Sequence, residues 1–357
     1  MRRGSGLLKR CTAALALIFG LCAAGPAQED DGIPTLRVFT NVLQVPTLVL
    51  NDQRKPLPPI PENRFFVSID GGPPFRVSHA RLEGNDPIAL SILVDVDHLP
   101  GSGRTKVEDA IAGLLPTSVH TNDMVSVYRL NCRLTRGIVE QPTNLENLQT
   151  VTTVLFGSAD AAAGKSHANG GCVRGWNLLD SIGAAIEGFE PATGRRVLLV
   201  VTDGEDRGSK ATWLEVRAAA QMKGVAVFAL QPKQQVAVPS VRRNRVMEAE
   251  IAAEVTNMPS LCESTGGLVL ELKPERLAEE LREFLALVRG RYIIEFPRPA
   301  AAPGSHNMTI TAGKLAAFIR PAGISMELPD PDLAKDPNTF LPDPTKAPEV
   351  GTQRPKQ

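Results

Sequence analysis

Apolar runs of strand length alternate with amphipathic segments through the middle of the chain. The strand-like runs lie at residues 89–94, 124–130, 196–201, 225–230 and 268–270. Between them, apolar side chains recur every three or four positions, as on one face of a helix, at residues 107–115, 176–189, 213–223 and 275–288. This alternation is typical of βαβ units, so it predicts an α/β domain with a doubly wound, mostly parallel sheet and helices on both faces.

Each flank of this central region carries shorter runs of alternating and β-branched residues. In the N-terminal flank the runs lie at residues 38–50 and 65–69, and the second is followed by the hairpin signal Asp70-Gly71-Gly72. In the C-terminal flank they lie at residues 291–296 and 307–320. Neither flank is long enough to enclose a core alone, so together they are predicted to form one small β-sandwich beside the α/β domain.

The N-terminus has the order of features that directs a protein to export. Four basic residues among the first ten precede an apolar run at residues 12–24 and a stretch of small residues that ends at Ala27. This order predicts a secretory signal at residues 1–27, cleaved after Ala27, and a periplasmic or extracellular location. The apolar run is shorter than the roughly 20 residues that a membrane helix needs, and no later segment comes close, so we expect no integral membrane segment in the mature chain.

The mature chain divides into four parts by the same patterns. We expect N-terminal β-strands at residues 34–85, the α/β domain at 86–290, and C-terminal β-strands that complete the sandwich at 291–325. Residues 326–357 are rich in proline and charge and poor in apolar side chains. This tail is therefore predicted to be disordered.

Composition excludes partners that recognise net charge. Lysine and arginine together number 39, as do aspartate and glutamate, so the formal net charge is zero. No overall field then attracts nucleic acid or an anionic membrane, and we expect neither as a partner. A partner must be recognised locally, by the side chains of one surface.

Seven segments of the sequence, taken in order, resemble those of one family. They are "NVLQVPTLVLNDQRKPL", "FFVSIDGGPPFRV", "IALSILVDVD", "GRRVLLVVTDGED", "GVAVFAL", "STGGLVLEL" and "RYIIEF". Together they resemble the bacterial, notably acidobacterial, von Willebrand factor A-related proteins across nearly the whole mature chain. The resemblance implies the von Willebrand factor A fold, export, and a divalent-cation site called the metal-ion-dependent adhesion site. In that family the site takes an Asp-x-Ser-x-Ser loop after the first strand, a threonine from a second loop and the aspartate of a Thr-Asp-Gly loop.

Only part of this motif is present, so the implied site is degenerate. Asp95 matches the first aspartate, and Asp203, within a Thr-Asp-Gly segment, matches the last. The hydroxyl positions of the first loop are instead Asp97 and Leu99, and the threonine of the second loop falls at Trp176 or nearby. A leucine cannot bind a cation, and a tryptophan offers only an indole N–H donor.

Two interpretations of the remaining carboxylates stay open. In the first, they hold Mg²⁺, Ca²⁺ or Mn²⁺, which prefer oxygen ligands. The candidate ligands are Asp95, Asp97, Asp203 and Ser102. In the second, there is no cation, and the carboxylates are neutralised by hydrogen bonds or by a neighbouring Arg104 or Arg207, because clustered carboxylates without either would raise one another's pKa. A simpler role for Asp203 is an Asx turn with Gly204.

His98 lies in the same loop, between Asp97 and Leu99. It is a candidate ligand for a transition metal, together with Asp95 and Asp97. The alternative is a loop histidine that is exposed to solvent and has no function. Likewise, the simpler role for Asp95 is a cap on the loop that follows the strand.

Three cysteines remain after removal of the signal: Cys132, Cys172 and Cys262. We expect Cys132 near the carboxyl end of the second strand. We expect Cys172 in the long loop before the helix that begins at Trp176, on the same rim of the sheet. Export makes oxidation available, so a Cys132–Cys172 disulfide is predicted, with a stabilisation of roughly 4 kcal/mol on the chain-entropy model. The alternative is two unpaired thiols buried as small hydrophobes. Cys262 falls in a helical pattern and is expected to be packed.

Neither a nucleotide site nor a catalytic site is predicted. Residues 159–166, "ADAAAGKS", match a relaxed phosphate-loop pattern, but residues 144–156 before them have the pattern of a helix, whereas a phosphate loop must follow a strand. The histidines are scattered, and there is no Gly-x-Ser-x-Gly or His-Glu-x-x-His motif. We therefore expect no nucleotide and no enzyme activity, with a hydrolase as the least favoured alternative.

These patterns together predict an exported protein-binding module of adhesion type with a degenerate cation site. A partner protein would contact the rim, formed by residues 95–105, 157–175 and 203–209 above the carboxyl ends of the strands. The candidate contact residues, of types that are frequent interface anchors, are Arg104, Arg174, Trp176 and Arg207. The alternative is a structural envelope or secretion-associated component without a ligand at the rim, whose contacts are made by the β-sandwich or the tail.

Overall fold

The computed structural model of the chain describes residues 37–38, 42–99, 106–114, 118–131, 133–157, 177–189, 195–206, 208–232, 257–299, 304–314, 316–326, 339–340 and 347–351. These residues belong to two compact units. Met1–Phe39 and Pro329–Pro342 form the smaller unit, and Thr40–Leu328 and Asp343–Gln357 form the larger. In the smaller unit, strand Arg37–Val38 pairs in parallel with strand Thr339–Phe340.

The strands and helices are numbered in chain order. The strands are β1 (Arg37–Val38), β2 (Val42–Leu50), β3 (Phe65–Ile69), β4 (Phe75–Arg76), β5 (His79–Leu82), β6 (Ile88–Asp95), β7 (Met124–Leu130), β8 (Leu134–Ile138), β9 (Arg195–Val201), β10 (Val225–Gln231), β11 (Val269–Glu271), β12 (Tyr292–Pro297), β13 (Gly304–His306), β14 (Met308–Ala312), β15 (Phe318–Pro321), β16 (Ile324–Met326) and β17 (Thr339–Phe340). The helices are α1 (Val107–Ala112), α2 (Leu145–Thr152), α3 (Leu178–Glu187), α4 (Trp213–Met222), α5 (Met258–Ser264) and α6 (Leu277–Arg289). Short 3-10 turns lie at Glu62–Arg64 and Pro274–Arg276, and a π-helical turn lies at Thr153–Gly157.

A six-stranded sheet with the order β11-β10-β9-β6-β7-β8 forms the centre of the α/β domain. Its strands are parallel except for β8, which runs antiparallel to β7 at one edge. The chain moves outward from β6 to β8, returns to β9 beside β6, and then moves outward the other way, so the topological switch point lies between β6 and β9. The predicted fold class, a doubly wound, mostly parallel sheet with helices on both faces, is confirmed.

The central strands are mostly apolar because helices cover both faces of the sheet. All residues of β6 are buried, and their side chains alternate between two clusters. Leu90 and Ile92 pack with residues of α1 and α6, whereas Ala89 and Leu93 pack with residues of α3, α4 and α5. The five predicted strands are found with bounds that differ by at most one residue, and the four predicted helices with bounds that differ by at most three.

The edge strand β8 is not predicted by the sequence patterns. Its residues, Leu-Thr-Arg-Gly-Ile, are half-buried or exposed. A strand at the edge of a sheet faces solvent and needs no apolar run, so it lacks the signal that marks the central strands. The helix predicted at residues 144–156 is confirmed as α2 and the π-helical turn that follows it. Residues 159–166, which match the phosphate-loop pattern, lie outside the described residues.

The two flanks combine into one β-sandwich, as predicted. A four-stranded sheet has the order β15-β2-β12-β5, and a three-stranded sheet has the order β14-β3-β4. Strands β2 and β3 of the N-terminal flank thus pair with strands β12, β15 and β14 of the C-terminal flank. Their facing side chains share one buried cluster, in which the ring centroids of Phe65 and Tyr292 are 5.0 Å apart. Leu48 and Leu50, on the other face of β2, pack in the cluster of the α/β domain, so the two parts of the larger unit share a core.

The ends of the chain are described only in part. Residues 1–27 lie outside the described residues, and the predicted signal stays a prediction. In the tail predicted to be disordered, the structure describes β17 and residues 347–351. The Gly351 N–H donates to the Ile69 carbonyl, and Val350 packs against the core of the sandwich. Within the described part of the chain, no helix is long and apolar enough to span a membrane.

Cys262 is fully buried in α5, which confirms that it is a packed residue. It belongs to the cluster that α3 and α4 also line, and this burial raises the pKa of its thiol. Cys132 and Cys172 lie outside the described residues, so the predicted disulfide between them stays a prediction.

Candidate functional site

Asp95 lies at the switch point of the sheet, as the last residue of β6. It is buried, with 2% of its surface exposed. His98 Nδ1 lies 2.8 Å from Asp95 Oδ1 and 2.9 Å from Asp95 Oδ2, and the Thr202 hydroxyl donates to Oδ2 over 3.3 Å. Because Thr202 directly follows β9, the carboxylate joins the two strands between which the direction of winding reverses.

A tight turn brings His98 back onto Asp95. The His98 N–H donates to the Asp95 carbonyl, and Leu99 is buried in the core of the α/β domain with 5% of its surface exposed. An anchored leucine directly after the histidine fixes the direction of the loop. The Asp-x-Ser-x-Ser motif has a hydroxyl residue at this position. In this chain the position is occupied by Leu99, whose side chain packs in the core.

The electrostatics of Asp95 reflect its burial. Burial raises the pKa of the Asp95 carboxyl, and the nearby charge of Asp203 adds to the rise, while the hydrogen bonds from His98 and Thr202 act in the opposite direction. A carboxylate accepts hydrogen bonds only, so the Nδ1 of His98 is the donor and its Nε2 is left for other contacts. The histidine and the threonine therefore hold a charge that burial disfavours.

Asp203 forms the predicted Asx turn at the start of the second loop. Its Oδ1 accepts a hydrogen bond from the Glu205 N–H over 3.0 Å, and the Thr202 hydroxyl accepts one from the Gly204 N–H over 3.1 Å. Gly204 has φ = +84°, a conformation that residues with a Cβ rarely adopt. In this turn Asp203 is half-buried and Glu205 is exposed.

The rest of this loop is fastened to the first turn of α3. Ser209 Oγ accepts hydrogen bonds from the N–H groups of Leu179, at 3.0 Å, and Asp180, at 3.2 Å. In return, the Asp180 carboxylate accepts from the N–H groups of Lys210 and Ala211. Asn177 at the start of α3 makes no side-chain cap, so the neighbouring loop supplies the cap instead.

Asp206 organises the loop from within. Burial alone would raise the pKa of Asp206, but hydrogen bonds from the Ser209 side chain and from the N–H groups of Ser209, Leu179 and Gly208 together lower it. Aspartate and serine beside a glycine are typical of a turn. Their partners in α3 are about thirty residues earlier in the chain, so no sequence spacing could have indicated them.

Gln231, the last residue of β10, is a third component that the sequence patterns miss. It is 4% exposed, and its Nε2 has no hydrogen-bond partner among the described residues. A Cβ on Gly204 would lie 1.6 Å from this Nε2, so the amide covers the glycine directly. A buried polar atom without a partner is uncommon and marks positions of strain or function. The apolar run in the sequence ends at residue 230, so it does not indicate that Gln231 belongs to the strand.

Several predicted site residues are not placed by the structure. Asp97 is half-buried in the turn between Asp95 and His98 and takes part in a polar or electrostatic interaction, but its ligand role stays a prediction. The candidates that lie outside the described residues are Ser102, Arg104, Arg174, Trp176 and Arg207. Their proposed roles as cation ligand or as partner contacts stay predictions.

The resemblance found in the sequence implies a divalent cation at this position, and the described residues by themselves do not fit one. Both oxygens of Asp95 are engaged by His98, and Leu99 faces the core. Within the described residues, no group of three histidine, cysteine, aspartate or glutamate side chains is arranged to hold a metal ion. Hydrogen bonds from His98 and Thr202 hold the Asp95 carboxylate, and both interpretations of the site stay predictions.

Comparisons with known proteins give distant structural likenesses. No protein-family model matches the chain, and no curated protein matches it. An aerotolerance-related membrane protein of Bacteroides fragilis is similar at 15% identity and a TM-score of 0.36, over 56% of this chain and 98% of that one. Proximal thread matrix protein 1 of the mussel byssus is similar at 13% identity and a TM-score of 0.39, over 59% of this chain and 49% of that one.

A pilus adhesin of Lactobacillus rhamnosus GG is similar at 10% identity and a TM-score of 0.36, over 76% of this chain and 49% of that one. This chain thus spans about half the length of the mussel and the lactobacillus proteins. Another structure of the mussel protein has zinc in its metal-ion-dependent adhesion site. At these levels of similarity, none of the three proteins assigns a function to this chain.

Proposed function

We propose that this chain is an exported, non-enzymatic protein-binding module of adhesion type that contacts its partner protein with the rim. The observation that carries the proposal is the position of Asp95, His98 and Thr202 at the topological switch point, bonded to one another. Doubly wound sheets bind their ligands in the crevice at this point, beyond the carboxyl ends of the strands.

The rim combines a fixed base with accessible polar groups. Asp95 and Thr202 form the base, and Glu205 is exposed above it. The reciprocal bonds between Ser209 and α3 hold the second loop in place. A surface fixed in this way loses little entropy when a partner binds, which favours affinity. We propose Arg104, Arg174, Trp176 and Arg207 as direct contacts, because arginine and tryptophan are frequent anchors of interfaces.

A hydrolytic role stays the least favoured alternative. A histidine oriented by a buried aspartate is two-thirds of a catalytic triad, and the third member is a hydroxyl or thiol bonded to the histidine. Among the residues that the structure describes, His98 is hydrogen-bonded to Asp95 and to no serine or cysteine. Export is supported by the order of basic, apolar and small residues at the N-terminus.

Affinity capture with matched variants tests the proposal. The signal-free chain is immobilised and incubated with envelope extract of the source organism, and the captured proteins are quantified for the wild type, for Trp176→Ala with Arg207→Ala, and for the control Arg64→Ala. Arg64 is exposed in a 3-10 turn of the sandwich, away from the rim.

We expect a protein that the wild type and the control retain and that the rim variant loses by roughly tenfold or more, as for anchors at an interface centre. Equal retention by all three chains would overturn the proposal. Loss in the control with retention in the rim variant would favour the alternative, a structural component whose contacts are made by the β-sandwich.

A further inference from the structure

In the contact between His98 and Asp95, one ring nitrogen lies between the two carboxylate oxygens, where a cation bound by both oxygens would lie. The Nδ1 atom is nearly equidistant from the two oxygens, at 2.8 and 2.9 Å. A divalent cation bound by both oxygens of a carboxylate occupies the same side of the group. The ring of His98 and a bidentate cation therefore compete for one position.

Exposure shows which of the two groups meets the solvent. The side chain of Asp95 is 3% exposed and that of His98 is 34% exposed. Thr202, the other partner of the carboxylate, is fully buried. Of these three residues, only the histidine is accessible, so an ion from solution meets the imidazole before it meets the carboxylate.

Among the described residues there are two other histidine–carboxylate pairs, and neither occupies such a position. His79 and Glu62 pair over 2.8 Å on the surface of the sandwich, with both side chains about half exposed. His306 and Asp70 pair over 2.6 Å at the hairpin of β3, where the Asn307 N–H also donates to Asp70. A paired histidine is thus not unusual in this chain, and the distinctive feature of His98 is its place at the switch point.

We propose that the imidazole of His98 is a built-in occupant of the cation position, which holds Asp95 in place of a divalent ion and closes the site to metals. The inference concerns the chain alone and does not depend on a partner protein. It has a direct consequence. Removal of the ring leaves the Asp95 carboxylate without its donor from His98, beside the Thr202 hydroxyl and near the charge of Asp203, and oxygen ligands of this kind attract Mg²⁺ and Mn²⁺.

The test is a titration of the chelated, signal-free chain with Mn²⁺, followed by electron paramagnetic resonance of the free ion. The chains compared are the wild type, His98→Ala, His98→Ala with Asp95→Asn, and the matched control His79→Ala, which removes a histidine from a pair on the surface. We expect no saturable binding at millimolar Mn²⁺ for the wild type and the control. His98→Ala should bind with an affinity higher by at least about tenfold, and Asp95→Asn should abolish the gain.

Three results would overturn the proposal. Equal Mn²⁺ affinity in the wild type and His98→Ala would show that the ring does not close the position. Loss of binding in His98→Ala would make the histidine a ligand of the ion. Absence of binding in every chain would show that the ring occupies no cation position, whatever it contributes to stability.

Thermal unfolding keeps the test decisive if His98→Ala folds poorly. The proposal then predicts that Mn²⁺ restores a cooperative transition to this variant and leaves the melting temperature of His79→Ala unchanged. A variant that stays unfolded at millimolar Mn²⁺ would contradict the proposal, because an opened cation position should bind the ion and stabilise the folded chain.

Discussion

Carboxylates are buried at both ends of the six-stranded sheet, but they are held by different groups. At the amino ends of the strands, Glu83 is 1% exposed and receives two hydrogen bonds from Arg291, at 2.8 and 3.0 Å. Asp123 is fully buried and accepts from Arg289 and from the N–H groups of His120 and Ile88. At the carboxyl ends, Asp95 is held by a histidine and a threonine.

We propose that the difference separates a structural end of the domain, at the amino ends of the strands, from a functional end, at the carboxyl ends. An arginine is always charged, and Arg291 matches the Glu83 carboxylate with two parallel bonds, so this pair satisfies buried charge permanently. At the carboxyl ends, burial raises the pKa of Asp95 despite its partners. A carboxyl group with a perturbed pKa in a crevice is typical of binding sites.

The largest effect is expected at the structural end, from Arg291→Met. The change leaves Glu83 buried without its bidentate partner, and breaking a buried pair in this way costs about 3–5 kcal/mol of the free energy of unfolding. Urea unfolding followed by circular dichroism measures it. The double variant Glu83→Leu with Arg291→Met is the control, because it removes both charges and should recover most of the loss. If the single variant is as stable as the wild type, the pair is not structural.

A smaller loss is expected at the functional end from Gly204→Ala. The substitution places a Cβ against Gln231 Nε2 and forces an alanine to φ = +84°, with a cost of about 2–3 kcal/mol. Gly208→Ala is the matched control, since Gly208 has φ = +108° but open space around its Cα. Urea unfolding should show a larger loss for Gly204→Ala than for the control, and equal losses would mean that the contact with Gln231 costs nothing.

Asp95→Asn should change stability by only about 1 kcal/mol or less at neutral pH, and the change can be a gain. Asparagine removes the charge that burial disfavours, while its side-chain oxygen can still accept a hydrogen bond. The contrast with Arg291→Met is the informative quantity, because residues kept for function are often not kept for stability. A loss for Asp95→Asn as large as that for Arg291→Met would remove the distinction between the two ends.

The smallest effect is expected from Asp206→Asn, and it should depend on pH. The hydrogen bonds of the loop lower the pKa of Asp206 in the folded chain, so the carboxylate stabilises the fold above the unfolded value of about 3.9. That contribution is lost as the pH falls through the lower folded value. Thermal unfolding should therefore show the variant below the wild type at pH 7 and converging with it in acid. A difference that grows in acid would contradict the sign of the shift.

The fold was predictable where side chains are buried on both faces. Strands β6, β9 and β10 each contain a run of apolar residues, because helices cover the sheet on either side, and such runs are visible in the sequence. The edge strand β8 is polar and half exposed, so no run marks it. The sandwich was predictable because neither flank is long enough to form a core alone. Which strands pair within it, such as β2 with β12, was not predictable, because the partners are far apart in the sequence.

The site was predictable only in its positions along the chain. Asp95 and Asp203 each follow an apolar strand, which places them at the rim. The role of His98 was not predictable, because a histidine three residues after an aspartate can point to solvent, to a metal or back to the carboxylate. Ser209 and Gln231 contact residues that are about thirty positions away in the sequence. Patterns among neighbouring residues therefore cannot predict these contacts.

The most direct test of a rim that binds protein without a bridging cation is capture of the partner in the presence of a chelator. The wild-type chain is incubated with envelope extract in EDTA, and again with an excess of Mg²⁺ and Ca²⁺, and the retained protein is quantified in both. We predict equal retention in the two conditions, with loss in the Trp176→Ala, Arg207→Ala variant in each. Retention that disappears in EDTA and returns with either cation would contradict this, and would restore a cation as the bridge between the rim and its partner.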